Sequence, residues 1–182
     1  MRYGWILRTS SVCLLGAAAL LGGCVVRQST YNTMLKTQET IEGSLRSEIS
    51  ADQVQIEQLK DGIRVRMSGA LLYREGAVEL TPKGRAALDK MAPQFASDTY
   101  EIDVVGNTDN LQIGRELADR YPTNWELAGA RADIVVRYLQ EKSVDPTRLR
   151  AISAGQYHPV DSNDTTDGRA RNRRTEILLR PR

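Results

Sequence analysis

TYEIDVVGNTDN (Thr99–Asn110) and NWELAGARADIVVRYLQEK (Asn124–Lys142) decide the fold. In the first stretch Tyr100, Ile102 and Val104 alternate with Glu101 and Asp103, ending at Gly106. That period of two marks a strand with one buried face. In the second, Leu127, Ala130, Ile134 and Tyr138 recur at helical spacing. They predict a helix with one apolar face, capped by Asn124. A strand, a charged loop over 110–123 with room for a helical turn, and a helix follow one another without a long gap.

The flanks extend this pattern. QVQIEQL and IRVRM lie on either side of Lys60-Asp61-Gly62, and Asp-Gly is a tight-turn signal. Val54–Met67 therefore reads as a hairpin, with Ile63, Val65 and Met67 on its buried face. ALLYREGAVEL reads as a loop. Thr81-Pro82 starts a helix, Thr as N-cap and Pro at the first position, with Leu88, Met91, Ala92 and Phe95 as its core stripe. VDPTRL is a turn into a strand at Leu149–Ala154. A polar loop over 155–168 leads to RARNRR, a candidate short helix, and TEILL is the last strand. The order predicts an α/β or α+β sandwich, with helices packed on one sheet face and a hairpin leading in.

The N-terminal end differs in kind. Arg2 and Arg8 precede the apolar run VCLLGAAALLGG, and no acid interrupts it. The run is too short for a spanning helix and suits a signal peptide over residues 1–23. Leu21-Gly22-Gly23-Cys24 resembles a bacterial lipobox, which implies cleavage before Cys24 and its lipidation with acyl chains such as palmitate. Cys13 leaves with the signal, so no intrachain disulfide is expected. Residues 24–50 follow as a spacer. Ile41, Leu45 and Ile49 are spaced by four, which fits a weakly amphipathic helix as well as a flexible tether. The folded domain is expected to span 51–182.

Charge narrows the partners. The chain has 25 basic and 23 acidic residues, and the signal holds two of the basic ones, leaving 23 of each. A neutral chain gives no global attraction to nucleic acid. The basic run RARNRR lies among Asp161, Asp164, Asp167 and Glu176, which favours local pairing over nucleic-acid or lipid binding. Catalysis lacks its parts: His158 is the sole histidine and precedes Pro159 in a loop, no metal-ligand spacing occurs, and no paired carboxylates sit in a hydrolase-like motif. Neither catalytic residue, metal nor cofactor is expected. Membrane-barrel strands of alternating pattern are absent, against a pore.

Asp109 and Arg131 are the candidate pair. One lies just past a strand and the other on a helix, so both charges are fixed in place. Opposed carboxylate and guanidinium groups suit a zwitterion. By residue type alone the plainer readings come first: an ion pair between the two, or Asp109 capping a turn with Arg131 reaching to water.

LLYREGAVELTPKG, GNTDN, NWELAGARA, ISAGQYHPV and GRARNRRTEI occur in this order. Together they resemble the OmpA-like C-terminal domain, a family that includes peptidoglycan-associated lipoproteins and flagellar stator proteins. The resemblance covers roughly 50–182. It implies non-covalent binding of peptidoglycan through the diaminopimelate of its stem peptide. Asp109 would meet the ammonium and Arg131 the carboxylate, with Asn124 assisting and Thr108 and Leu127 lining the site. Arg173, in the segment matching the family's NRR, would brace the neighbouring loops. Tyr73 replaces a residue most often Phe and would be core, its hydroxyl toward the site. The chain departs from the family at Asn107, often His or Tyr, and in the long loop over 110–123. The resemblance further implies an outer-membrane lipoprotein facing the periplasm and holding that membrane to the wall. The alternative is a wall anchor of a secretion machine, or a regulated partner of an inner-membrane receptor.

Overall fold

The computed structural model describes residues 17–182, with side chains from residue 28 onward. The expected cleavage signal lies largely outside the described residues, as does the side chain of the expected lipidation residue, Cys24. Residues up to Thr33 form one unit and Met34–Arg182 another. In the first, the described backbone is helical, and Gln28 Nε2 donates to Asn32 Oδ1 at 3.1 Å. The helix α1 runs over Ala17–Ser44 and is followed by α2, Arg46–Ser50.

In the second unit, β1 (Val54–Leu59) and β2 (Gly62–Ser68) form the expected hairpin, with Leu59 opposite Gly62. Next come α3 (Gly69–Leu72), overlapping the start of the segment expected as loop, and α4 (Pro82–Ser97). Thr81 caps α4 by accepting the Gly84 N–H at 2.8 Å. Strand β3 (Glu101–Asn107), the turn α5 (Arg115–Ala118), helix α6 (Asn124–Glu141), strand β4 (Leu149–Gly155), helix α7 (Thr166–Asn172) and strand β5 (Arg174–Arg180) complete the unit. The five strands form one mixed sheet in the order β1-β2-β5-β3-β4, in which only β3 and β4 run parallel. A parallel neighbour needs a crossover, and α6 supplies it.

Register puts the apolar positions on one face. Ile63 lies opposite Leu179, which lies opposite Ile102; Val65, Ile177 and Val104 form the next row. All six are buried, together with Leu88, Met91 and Phe95 of α4 and Val135 and Leu139 of α6. The other face is charged and internally paired. Glu176 meets Arg64, Arg66 and Arg174 at 3.4, 3.5 and 2.8 Å, and Asp103 meets Arg150 and Arg180 at 2.5 and 2.7 Å.

Three expectations change. Thr123, not Asn124, is the N-cap of α6; Thr123 and Glu126 complete a capping box, which Asn124 has no acid three residues on to form. The buried stripe of α6 is Leu127, Ala128, Ala132, Val135 and Leu139, so Ala130, Ile134 and Tyr138 sit at its margin. Small residues set this rotation: a Cβ on Gly106 would overlap the Ala128 carbonyl, so the helix lies directly on β3. Finally, the core extends upstream of residue 51. Met34, Thr37, Ile41 and Leu45 are buried, and Thr37 Oγ1 reaches Asp98 Oδ2 at 3.4 Å. Residues 34–50 are packed helix rather than free tether.

Candidate functional site

The site forms where β3 ends. Past Asn107 the Thr108 N–H donates to the Gly155 carbonyl at 2.9 Å, tying the loop to the end of β4. Gly155 has φ +54°, and a Cβ there would press on the Trp125 ring at 3.3 Å. The next residue, Asp109, is buried. Its Oδ1 accepts the Leu111 N–H at 3.1 Å, a local turn that aims the carboxylate. Its Oδ2 accepts from Arg173 Nη1 at 2.6 Å. Arg173 reaches it from the C-cap of α7, where its own carbonyl accepts the Gly69 N–H at 2.7 Å. Of the alternatives left open by sequence, Asp109 thus caps a turn and pairs with Arg173 rather than Arg131.

Arg131 is held differently. Its Nε and Nη2 donate to the Ala77 carbonyl at 3.3 and 3.1 Å, and its Cζ lies 5.1 Å from the Tyr73 ring centroid. Among the described residues it makes no ion pair. Burial lowers its pKa, Tyr73 and Asp109 oppose that shift, and the Arg173 charge adds to it. Those influences place Asp109, Arg131 and Arg173 in one electrostatic neighbourhood. A guanidinium stays protonated despite such burial, so a cation without a carboxylate partner lies beside the Asp109–Arg173 pair.

Tyr73 is the support beneath. It is buried; its hydroxyl donates to the Arg131 carbonyl at 3.0 Å and shares a 2.8 Å hydrogen bond with Thr175 Oγ1. Burial pushes its pKa up to about 12. A phenol here joins α6 to β5, a link that phenylalanine could not make. Thr108 is buried, and its hydroxyl has no hydrogen-bond partner among the described residues. Asn124 Nδ2 donates to the Leu111 carbonyl at 3.0 Å and to Gln156 Oε1 at 2.7 Å, so it clasps two loops together. Leu127 is buried beneath this rim. The carbonyl of His158 accepts from Arg174 Nη2 at 3.1 Å, a structural contact. Among the described residues no group of His, Cys, Asp and Glu could hold a metal ion, and no helix is long and apolar enough to cross a membrane.

Sequence reasoning missed one contributor and one neighbouring feature. The Ala77 carbonyl, which holds Arg131, is invisible to residue type. Outside the Asp109–Arg131 site, Trp125 and Tyr157 stack with centroids 5.1 Å apart, and both are exposed, at 45% and 60%. Large aromatics among polar residues were the available signal.

The model of the OmpA family matches residues 72–173. The chain belongs to the OmpA family. In this OmpA-family chain 101 residues are 44% identical to Outer membrane protein A of Bordetella avium, covering 55% of the chain and 48% of that protein. A probable lipoprotein of Escherichia coli K12, YiaD, is 30% identical over 141 residues, covering 77% of the chain and 61% of YiaD. The chain therefore spans only about half to three-fifths of these relatives' own length. Among solved structures, the cell wall anchor of the type VI secretion system (T6SS) of Pseudomonas aeruginosa superposes with a TM-score of 0.71 at 29% identity. That match covers 80% of this chain and 99% of the anchor.

Proposed function

We propose that this OmpA-family chain binds peptidoglycan without covalent attachment, through the diaminopimelate of the stem peptide. The observation that carries the reading is Arg131: a half-buried guanidinium with no carboxylate partner among the described residues, held by the Ala77 carbonyl and Tyr73 beside the Asp109 carboxylate. A ligand bringing its own carboxylate would complete Arg131, and its ammonium would share Asp109 with Arg173. Each charge-assisted bond of this kind contributes about 1.5–3 kcal/mol before ordering costs. Thr108, Asn124 and Leu127 would line the site, and Arg173 and Tyr73 would support it. The similarity to a cell wall anchor supports a binding role rather than an enzymatic one.

The rest of the proposal concerns placement. Cys24 would carry the lipid, and the domain would face the periplasm and link the outer membrane to the wall. The similarity to a probable lipoprotein supports this. The second reading, a wall anchor within a secretion complex with envelope protein partners, rests on the T6SS anchor structure and uses the same site.

The test is co-sedimentation of the purified protein with cell-wall sacculi. Asp109→Ala and Arg131→Ala should each abolish most binding while circular dichroism stays unchanged. Unchanged binding in both variants overturns the assignment. Substituting Cys24 should release the protein from membranes and leave sacculus binding intact, and amidated diaminopimelate should bind less well.

A further inference from the structure

The Trp125–Tyr157 stack is left unexplained by a clamp for a zwitterion. Both rings are among the largest exposed apolar groups of the described residues, and Leu111 beside them is 52% exposed. A solvent-facing patch of this kind calls for an occupant. The pair is also built rather than incidental. The planes lie 28° apart in a stacked arrangement. Trp125 is fixed at the first turn of α6, where its carbonyl accepts from Ser153 Oγ at 2.7 Å. The positive φ of Gly155 turns the chain so that Tyr157 returns over Trp125.

The surroundings decide what kind of occupant fits. Asn124 links Gln156 to Leu111, and Leu111 is the residue whose N–H binds Asp109. The aromatic pair is therefore continuous with the rim of the Asp109 site. Its edges carry amide and hydroxyl groups, from Asn124, Gln156 and Ser153. A pyranose has this mixed character: an apolar C–H face to lie on an aromatic ring and hydroxyls at its edge to meet polar side chains.

We propose that Trp125 and Tyr157 form a saccharide platform, which takes a sugar ring of the glycan strand while the stem peptide occupies the Asp109–Arg131 site. This rests on the reading under Proposed function and adds a second subsite to it. Aromatic contacts of this size correspond to about a five- to tenfold gain in affinity.

The experiment measures the affinity of the purified full chain for three probes: a diaminopimelate-containing stem peptide alone, a disaccharide carrying the same stem, and the disaccharide without a stem. The disaccharide–stem probe should bind about five- to tenfold tighter than the stem alone. Trp125→Ala and Tyr157→Ala should each remove that advantage and leave the affinity for the stem alone unchanged. Both residues are exposed, so the fold should survive either change. Equal affinity for the two stem-bearing probes overturns the platform. So does an advantage that persists in both variants, and so does failure of all three probes to bind. If the bare stem does not bind and the stemless disaccharide does, in a way both variants abolish, the platform stands and the stem-peptide reading falls.

Discussion

Asp109 and Arg173, sixty-four positions apart, share a 2.6 Å hydrogen bond. Arg131, the arginine that sequence places opposite Asp109, instead spends its donors on a backbone carbonyl. The acid is thus paired, and among the described residues the second cation has no carboxylate partner. Asp109→Asn keeps the side chain's shape and its turn to Leu111 but removes the charge. The Arg173 side chain is 40% exposed, so the pair contributes only about 1 kcal/mol to stability. Denaturant midpoints should shift slightly, whereas wall binding should fall by about tenfold or more. Binding by the unaltered protein should also weaken as salt is raised.

Arg131→Lys is the sharper test of the cationic half. Lysine keeps a positive charge but cannot direct two donors of a planar fork to one carbonyl while holding its charge over Tyr73. Affinity for a diaminopimelate stem should drop by about tenfold, with melting little changed. A lysine variant that binds as well as the unaltered protein would show that point charge alone suffices.

Tyr73 gives a pH signature. Unfolded, its phenol ionises near 10; folded, burial holds the proton to about 12. A group whose folded pKa is raised contributes stability that is full below the unfolded pKa and is lost as pH rises through the folded one. The loss attributable to Tyr73 should therefore fall between about pH 10 and 12. In an ultraviolet titration of tyrosinate, Tyr73→Phe should delete the last phase to appear. The same substitution should lower stability by about 1–3 kcal/mol, because two hydrogen bonds to the hydroxyl disappear.

Local chemistry made much of this fold legible. Lys60-Asp61-Gly62 fixes the hairpin turn, and Thr81-Pro82 starts α4 with both signals in place. Structure and sequence pattern part where the deciding partner is distant or small. The α6 stripe turns away from its most apolar positions because Ala128 and Ala132, weakly apolar by type, pack under the helix. Asn124 heads the helical pattern and has the cap chemistry, yet Thr123-x-x-Glu126 holds the reciprocal pair. The site's composition was readable as an acid and an arginine. Its wiring was not: Arg173 and Ala77 meet them only through tertiary structure.

Residues 34–50 looked like a spacer because their apolar residues are sparse, yet Leu45 and Ile41 are fully enclosed. Lys90 Nζ also reaches Glu48 Oε1 at 2.7 Å, tying α2 to α4. Leu45→Ala should cost about 2–4 kcal/mol, the range for an enclosed leucine. A substitution in a spacer would change stability by less than about 0.5 kcal/mol. Thermal melting of this single variant decides between the two.

Gly106 links the fold to the site most directly. It lies on β3 opposite Thr175, and its missing side chain is the space into which the Ala128 carbonyl fits. Gly106→Ala forces α6 away from the sheet. Overpacking of this sort costs about 1–3 kcal/mol, and a clash with backbone belongs at the upper end. Arg131 follows Ala128 by less than one helical turn, so the same shift moves its guanidinium relative to Asp109, which stays anchored to Leu111 and Arg173. The variant should therefore lose stem-peptide affinity even at temperatures where it is fully folded. Binding measured well below its melting point separates the two effects. Affinity that matches the unaltered protein there would mean that α6 can retreat without displacing Arg131.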